Sequence, residues 1–255
     1  MRPVHITLQL IEALSAVQPA GVTELAALTG IPRSTAQRAL MTLYEAGWIE
    51  LVDAKRGNWT LSLRALIAAG RAGESQGTLR NIAIPVMEEL RRSTEETIHL
   101  MARQAESVVL IERLDGIRPV EQFRPFGSSA PLNLVATGKA ILAALPEDEL
   151  DDYLREPLPA RTPISVTDPE VLRRELVEVR ARGYATTFGG NRPTVAAVGA
   201  AILDSNGKPF AALSASGPLA RITPQRAEVL GPLVADAARR IGMGIGWQKG
   251  VGAPA

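Results

Sequence analysis

The 255-residue chain predicts an α+β protein of two domains, the first of them a winged helix-turn-helix, joined by a helical linker. Three observations predict it. Short helical patterns near the start run into a hairpin with a basic tip. An Ala- and Leu-rich stretch follows, interrupted by Gly70 and Gly73. From Asn81 onward, strand-like runs mix with helices, as they do where helices flank a sheet.

Ile6 to Ala16 reads as a helix with Ile6, Leu10, Ile11 and Leu14 on one face. Thr23 can cap a second helix that runs through Leu28, and Gly30 ends it. Pro32 suits the first turn of a third helix, where its missing N–H has no partner to lose. That helix stops at Gly47. Ala36, Leu40 and Leu43 recur at i, i+4, i+7 and must face a core. Ser34, Gln37, Arg38 and Met41 share another stripe, with Arg33 and Thr35 at its edges. All of these except Met41 can hydrogen-bond a base edge or a phosphate. "WIELV" and "WTLSL" read as strands joined by "DAKRGN", which puts Lys55 and Arg56 at the tip of a wing, in reach of phosphate or a minor groove.

Leu63 to about Gln76 is the helical connector, and "GESQG" is its expected flexible point. The predicted divisions are 1–63 for the winged helix, 64–78 for the linker and 79–250 for the second domain. There a helix to about Ser93 leads into strands "ETIHLMAR", "SVVLIERL" and "VEQFRPF". Ala136 to Leu145 returns to helix. Asp168-Pro169 opens a long helix that Gly183 closes. "VAAVGAAILD" and "PFAALSAS" flank "SNGK", an Asn-Gly hairpin signal. Thr223-Pro224 begins a terminal helix with Val229, Leu230, Leu233, Val234 and Ala237 inward.

Composition narrows the function classes. Hydrophobic residues make up 46% and charged residues 22%, which is ordinary for a globular chain. No apolar run is long enough for a membrane span, and Met1-Arg2-Pro3 leads into an amphipathic segment without a signal-peptide pattern. The absence of cysteine excludes disulfides and thiolate metal sites, and fits a cytoplasmic protein. Net charge is +1 overall, but residues 1–80 hold eight Lys/Arg against six Asp/Glu.

The chemistry of an enzyme is missing. With only His5 and His99 in the chain, neither a metal site nor a Ser-His-Asp triad is readily assembled. His99 reads as a packed or pocket-lining residue. "GKA" at Gly138 resembles the end of a phosphate loop, but Asn133 stands at the first Gly and Ala140 replaces Ser/Thr. "GMGIG" lacks dinucleotide-loop spacing, and the carboxylate-rich "PEDELDD" reads as a solvated face. We therefore expect no catalytic residues, no metal and no cofactor.

In order and spacing, "VTELAALTGIPRSTAQRALMTL", "GWIE…WTLSL", "PLNLVATGKAILAALP", "DPEVLRRELVEVRARGYA" and "AALSASGPLAR" resemble the isocitrate lyase regulator (IclR) family of bacterial transcription factors over nearly the whole chain. The resemblance implies a winged-helix DNA-binding domain, a linker helix and a GAF-like α/β effector-binding domain. It also implies a homodimer or homotetramer that responds to a small organic acid. By position, the effector pocket takes Ala136 and Thr137 at a helix start, Val195 and Ala197 on one strand, and Ser214 and Ser216 on the next. The free N–H groups around Gly138 favour an anion. Phe188 is expected at the lip, over an aromatic or branched body. One departure stands out: where the family carries an acidic stretch, then Gly and often Cys, this chain has "TTFGGNRPTVAA", with Thr194 and Ala197 at those last two places.

The partners expected are thus double-stranded operator DNA, read by Arg33, Ser34, Thr35, Gln37, Arg38, Lys55 and Arg56, and a small organic acid effector. The alternatives are a winged helix attached to a small-molecule enzyme, which lacks a cofactor loop or base here, or a winged helix that binds protein.

Overall fold

The computed structural model describes residues 2–53, 57–72, 74–117 and 125–251. The chain divides into two compact units, 1–76 and 77–255.

In the first unit, α1 (Arg2–Val17), α2 (Val22–Thr29) and α3 (Arg33–Glu45) enclose a core of Leu10, Leu14, Leu25, Ala36, Leu40 and Leu43, closed by Ile49 and Trp59. Each fully buried leucine contributes about 1.5–3 kcal/mol relative to exposure. Strands β2 (Ile49–Asp53) and β3 (Asn58–Leu61) pair antiparallel, with Ile49 opposite Leu61 and Leu51 opposite Trp59. A two-residue β1 (Ala20–Gly21) adds to β3 and has no periodicity to betray it. Because β1 runs straight into α2, Gly21 is the N-cap and Thr23 lies inside the first turn, not at the cap. Pro32 is likewise the N-cap residue of α3, with its carbonyl accepting from the N–H groups of Thr35 and Ala36 at 2.8 and 2.9 Å.

Two helices follow, α4 (Leu63–Ala72) and α5 (Glu74–Thr94). Glu74, Ser75, Gln76 and Gly77 are helical, so the expected break at "GESQG" is not found among the described residues, which exclude Gly73.

The second unit is built on a six-stranded antiparallel sheet, curled into a half-barrel. Its order is β6 (Ser129–Pro131), β5 (Ser107–Leu114), β4 (Thr97–Gln104), β9 (Pro209–Pro218), β8 (Val195–Leu203), β7 (Ala185–Phe188). Both faces are covered. Helices α5 and α9 (Pro224–Val251) pack on Ile98, Leu100, Val198, Leu213 and Ala215. Helices α6 (Ala136–Ala143), α7 (Glu147–Arg155) and α8 (Pro169–Arg182) close Met101, Val108, Leu110 and Ala212 on the other. Consecutive residues of β9 thus serve opposite cores, as a strand's period of two requires.

Asp168 caps α8 by accepting from the N–H groups of Glu170 and Val171 at 2.8 and 3.1 Å. Asp204 does similar work in the β8–β9 hairpin, where its side chain accepts from Asn206 and Lys208 at 2.8 and 2.9 Å. Two expectations fail in this unit. Most of "VEQFRPF" lies outside the described residues; Pro125 and Phe126 are not strand, and Phe126 is exposed. Val229 and Leu233 are 56% and 42% exposed, because α9 packs by the stripe Leu230, Val234, Ala237 and Ile241.

Candidate functional site

The first unit presents one polar surface of interest. Burial of Ala36, Leu40 and Leu43 fixes the rotation of α3 and leaves Arg33, Ser34, Gln37, Arg38 and Met41 exposed, with Thr35 half-buried beside them. Among the described residues, neither Arg33 nor Arg38 has an ion-pair partner. Their guanidinium forks are therefore available to an external anion or base edge. Lys55 and Arg56 lie outside the described residues.

The second unit holds a cavity of about 90 Å³ between its sheet and the start of α6. A single water needs only about 10–15 Å³, so the space suits a small molecule. Its floor follows from strand alternation. Thr97, His99 and Met101 alternate along β4, and Ser214 and Ser216 along β9, with Thr97 opposite Ser216 and His99 opposite Ser214. Ser216 Oγ and His99 Nδ1 are 3.1 Å apart, a hydrogen bond across the two central strands. Val195 and Ala197 of β8 continue the floor, and Arg113 and Asp115 bound it beyond β4, joined by a 2.8 Å ion pair. Asn191 and Arg192 enter from the β7–β8 loop. Thr162 and Ser165 hold that loop from outside, their hydroxyls donating to the carbonyls of Gly189 at 2.9 Å and Gly190 at 2.7 Å respectively.

The remaining wall is the start of α6, with Val135, Ala136 and Thr137 in the lining. It sits against β8 at Gly199, where a Cβ would come within 2.8 Å of the Ala136 carbonyl carbon and the Thr137 nitrogen. The first N–H groups of a helix have no intrahelical acceptor, and the dipole adds partial positive charge there.

Of the expected pocket residues, Ala136, Thr137, Val195, Ala197, Ser214 and Ser216 lie together in this lining; Gly138 and Phe188 do not. Gly138 is turned onto the Leu132–Leu134 turn, where a Cβ would meet the Leu132 carbonyl oxygen at 2.2 Å. Phe188 pairs with Ala196 and packs into the α5–α9 core, while its neighbour Thr187 reaches the cavity. The Lys139 ammonium, next to Gly138 in the "GKA" segment, is buried and paired with Glu175. His99, read from the sequence as packed or pocket-lining, is in this lining; Thr97, Met101, Arg113 and Asp115 escaped the sequence reading, although "TIHLM" carries the same alternation as Ser214 and Ser216.

Two family models match, the IclR helix-turn-helix domain over residues 3–53 and the bacterial transcriptional regulator IclR C-terminal domain over residues 74–243. The chain belongs to the IclR family. It is 30% identical over 228 residues to the acetate operon repressor of Salmonella typhimurium, covering 88% of this chain and 82% of that protein. It is 31% identical over 227 residues to the regulator KipR of Bacillus subtilis, covering 89% and 90%. Among solved structures, an IclR homologue of Microbacterium hydrocarbonoxydans complexed with 4-hydroxybenzoate matches with a TM-score of 0.79 at 26% identity, over 95% of this chain and 98% of that one. Thermotoga maritima IclR matches with 0.76 at 28%, over 96% and 99%.

As an IclR-family member the protein is a transcriptional regulator, with a DNA-binding helix-turn-helix and an effector-binding C-terminal domain. Its relatives are named regulators and repressors, not enzymes. Among the described residues, no helix is long and apolar enough to cross a membrane.

Proposed function

We propose that this IclR-family chain binds a near-palindromic operator as a homodimer or homotetramer, and that a small carboxylic acid with an aromatic or branched body alters that binding from the cavity. The carrying observation is the α6 N-terminus set against a floor of serine and threonine hydroxyls. Free N–H groups and hydroxyl donors together hold a carboxylate. Ala136, Val195 and Ala197 are small and leave room for a compact body. Similarity to a homologue solved with 4-hydroxybenzoate favours the same ligand chemistry.

On the DNA side, Gln37 suits adenine and Arg38 suits guanine through paired hydrogen bonds. One short helix reads few base pairs, so two copies should read half-sites about 10 bp, or a multiple, apart. The acid acts only if it favours one arrangement of the two domains, a coupling typically of about 1–3 kcal/mol.

Fluorescence anisotropy on a duplex selected from a random pool, titrated with 4-hydroxybenzoate and branched aliphatic acids, tests both halves. Arg38→Ala should weaken operator binding by roughly 1–3 kcal/mol and relax one base position. Ala197→Leu should keep operator affinity and lose the acid response. An Arg38→Ala protein that treats operator and random DNA as the parent does would remove α3 as the reader. An intact acid response in Ala197→Leu would place the acid elsewhere.

A further inference from the structure

Strand register gives the cavity two ends. Gly199 pairs with Ser214, Ser214 with His99, and His99 with Arg113, a single row across β8, β9, β4 and β5. The α6 N-terminus rests on the Gly199 end of that row. The next row towards the start of β8 is Ala197, Ser216 and Thr97. Beyond it the chain enters β8 at Val195, directly after the loop that delivers Asn191 and Arg192. Val195 and Gly199 are separated by about 13 Å along the strand. The anion-favouring helix start rests at one end of this span of β8, and the loop that delivers Arg192 joins the strand at the other.

Among the described residues, no Phe, Tyr or Trp lines the cavity; Phe188 packs into the other core. A monoacid anchored at α6 would turn its bare ring or alkyl end towards Asn191 and Arg192. Taking a guanidinium and an amide out of water against carbon is unfavourable. A second anionic group at that end replaces the lost water with charge-assisted bonds. Arg192 already interacts within the protein, and a guanidinium offers five donors in a planar fork. The carboxylate of the lining, Asp115, follows β5, on the far side of β9 and β4 from β8, and is held by Arg113.

Resting on the reading of the cavity as an acid site, we infer that the effector carries two anionic groups, one at the α6 N-terminus and one at Arg192, and that Arg192 selects for the second. The departure of "TTFGGNRPTVAA" from the family's acidic stretch then has a chemical meaning. It turns the loop from one that repels a second anion into one that attracts it.

Calorimetry on the full-length protein tests this with matched pairs of acids: benzoate against benzene-1,4-dicarboxylate, pentanoate against glutarate, and hexanoate against adipate. In at least one pair the diacid should bind about tenfold or more tightly than its monoacid, the worth of one charge-assisted pair. Arg192→Gln should remove that preference by weakening the diacid far more than the monoacid, and Arg192→Lys should restore part of it. Monoacids that bind as well as their diacids, or an Arg192→Gln protein that loses both equally, would overturn the inference while leaving the acid site standing. Failure of every acid to bind would overturn the acid site and the inference with it.

Discussion

Tyr153 shows how much a single hydroxyl carries. It accepts from the Asn133 backbone N–H at 3.1 Å and donates to Asn133 Oδ1 at 3.3 Å, while the Asn133 amide donates to the carbonyls of Pro159 and Val166. Asn133, which stands where a phosphate loop would need glycine, thus serves to fasten the segment before α6. Burial pushes the Tyr153 phenol up to about 12. A raised value means that the folded state holds its proton more tightly than the unfolded chain. Below about pH 10 both states are protonated and nothing is lost; between about pH 10 and 12 the unfolded chain ionises first and stability falls. Urea denaturation at pH 9 and 11.5 should show a loss of order 1–3 kcal/mol between them. Tyr153→Phe should be less stable at pH 9 by about 1–3 kcal/mol, from the orphaned N–H, yet show a shallower loss at high pH. Equal losses in parent and variant would clear Tyr153 of this role. Residues differ in how far sequence exposes them. Ser214 and Ser216 are legible because alternation is local, whereas Phe188 is not, because only its pairing with Ala196 decides which face it takes.

Among the elements, α6 depends on what lies beneath it. At Gly199 an added methyl meets backbone atoms at 2.8 Å, which cannot swing aside as a side-chain tip can. Gly199→Ala should lift the helix start from β8. Overpacking of this kind typically costs about 1–3 kcal/mol, and the displaced N–H groups should also lose acid affinity. Denaturant melts and calorimetry on the variant measure both, and parental values in each would show that α6 does not depend on this contact. The same distinction between local and distant causes divides what the sequence revealed about elements. The Asp168 cap, the Asn206-Gly207 hairpin and the exposed face of α3 are written within a few residues. Strand β1, the helical Glu74–Gly77 segment and the outward turn of Val229 and Leu233 depend on partners elsewhere in the chain, and periodicity alone misplaced or missed them.

At the scale of the whole chain, the cores are closed within their own units. The first draws on Leu10 to Trp59, and the two that sandwich the large sheet draw on Leu79 to Ile245. A fragment of residues 77–251 should therefore unfold cooperatively on its own and bind the same acids as the intact chain within about twofold, since its apolar burial is complete without residues 1–76. A fragment that melts without a cooperative transition would show that it leans on the rest. The cavity adds a different kind of division. Its floor belongs to the central strands β4 and β9, whose opposite faces are committed to core, while Asn191 and Arg192 hang from a loop beside the edge strand. Substitutions in the floor should disturb folding and ligand binding together; substitutions at 191 and 192 should leave the cores intact and alter only loop contacts, such as that of Arg161 with Asn191 Oδ1 at 3.0 Å, and the ligand's own. If Arg192 selects the ligand, a gene for such a protein can over generations exchange the chemical message it answers by rewriting a codon or two, with its architecture inherited intact.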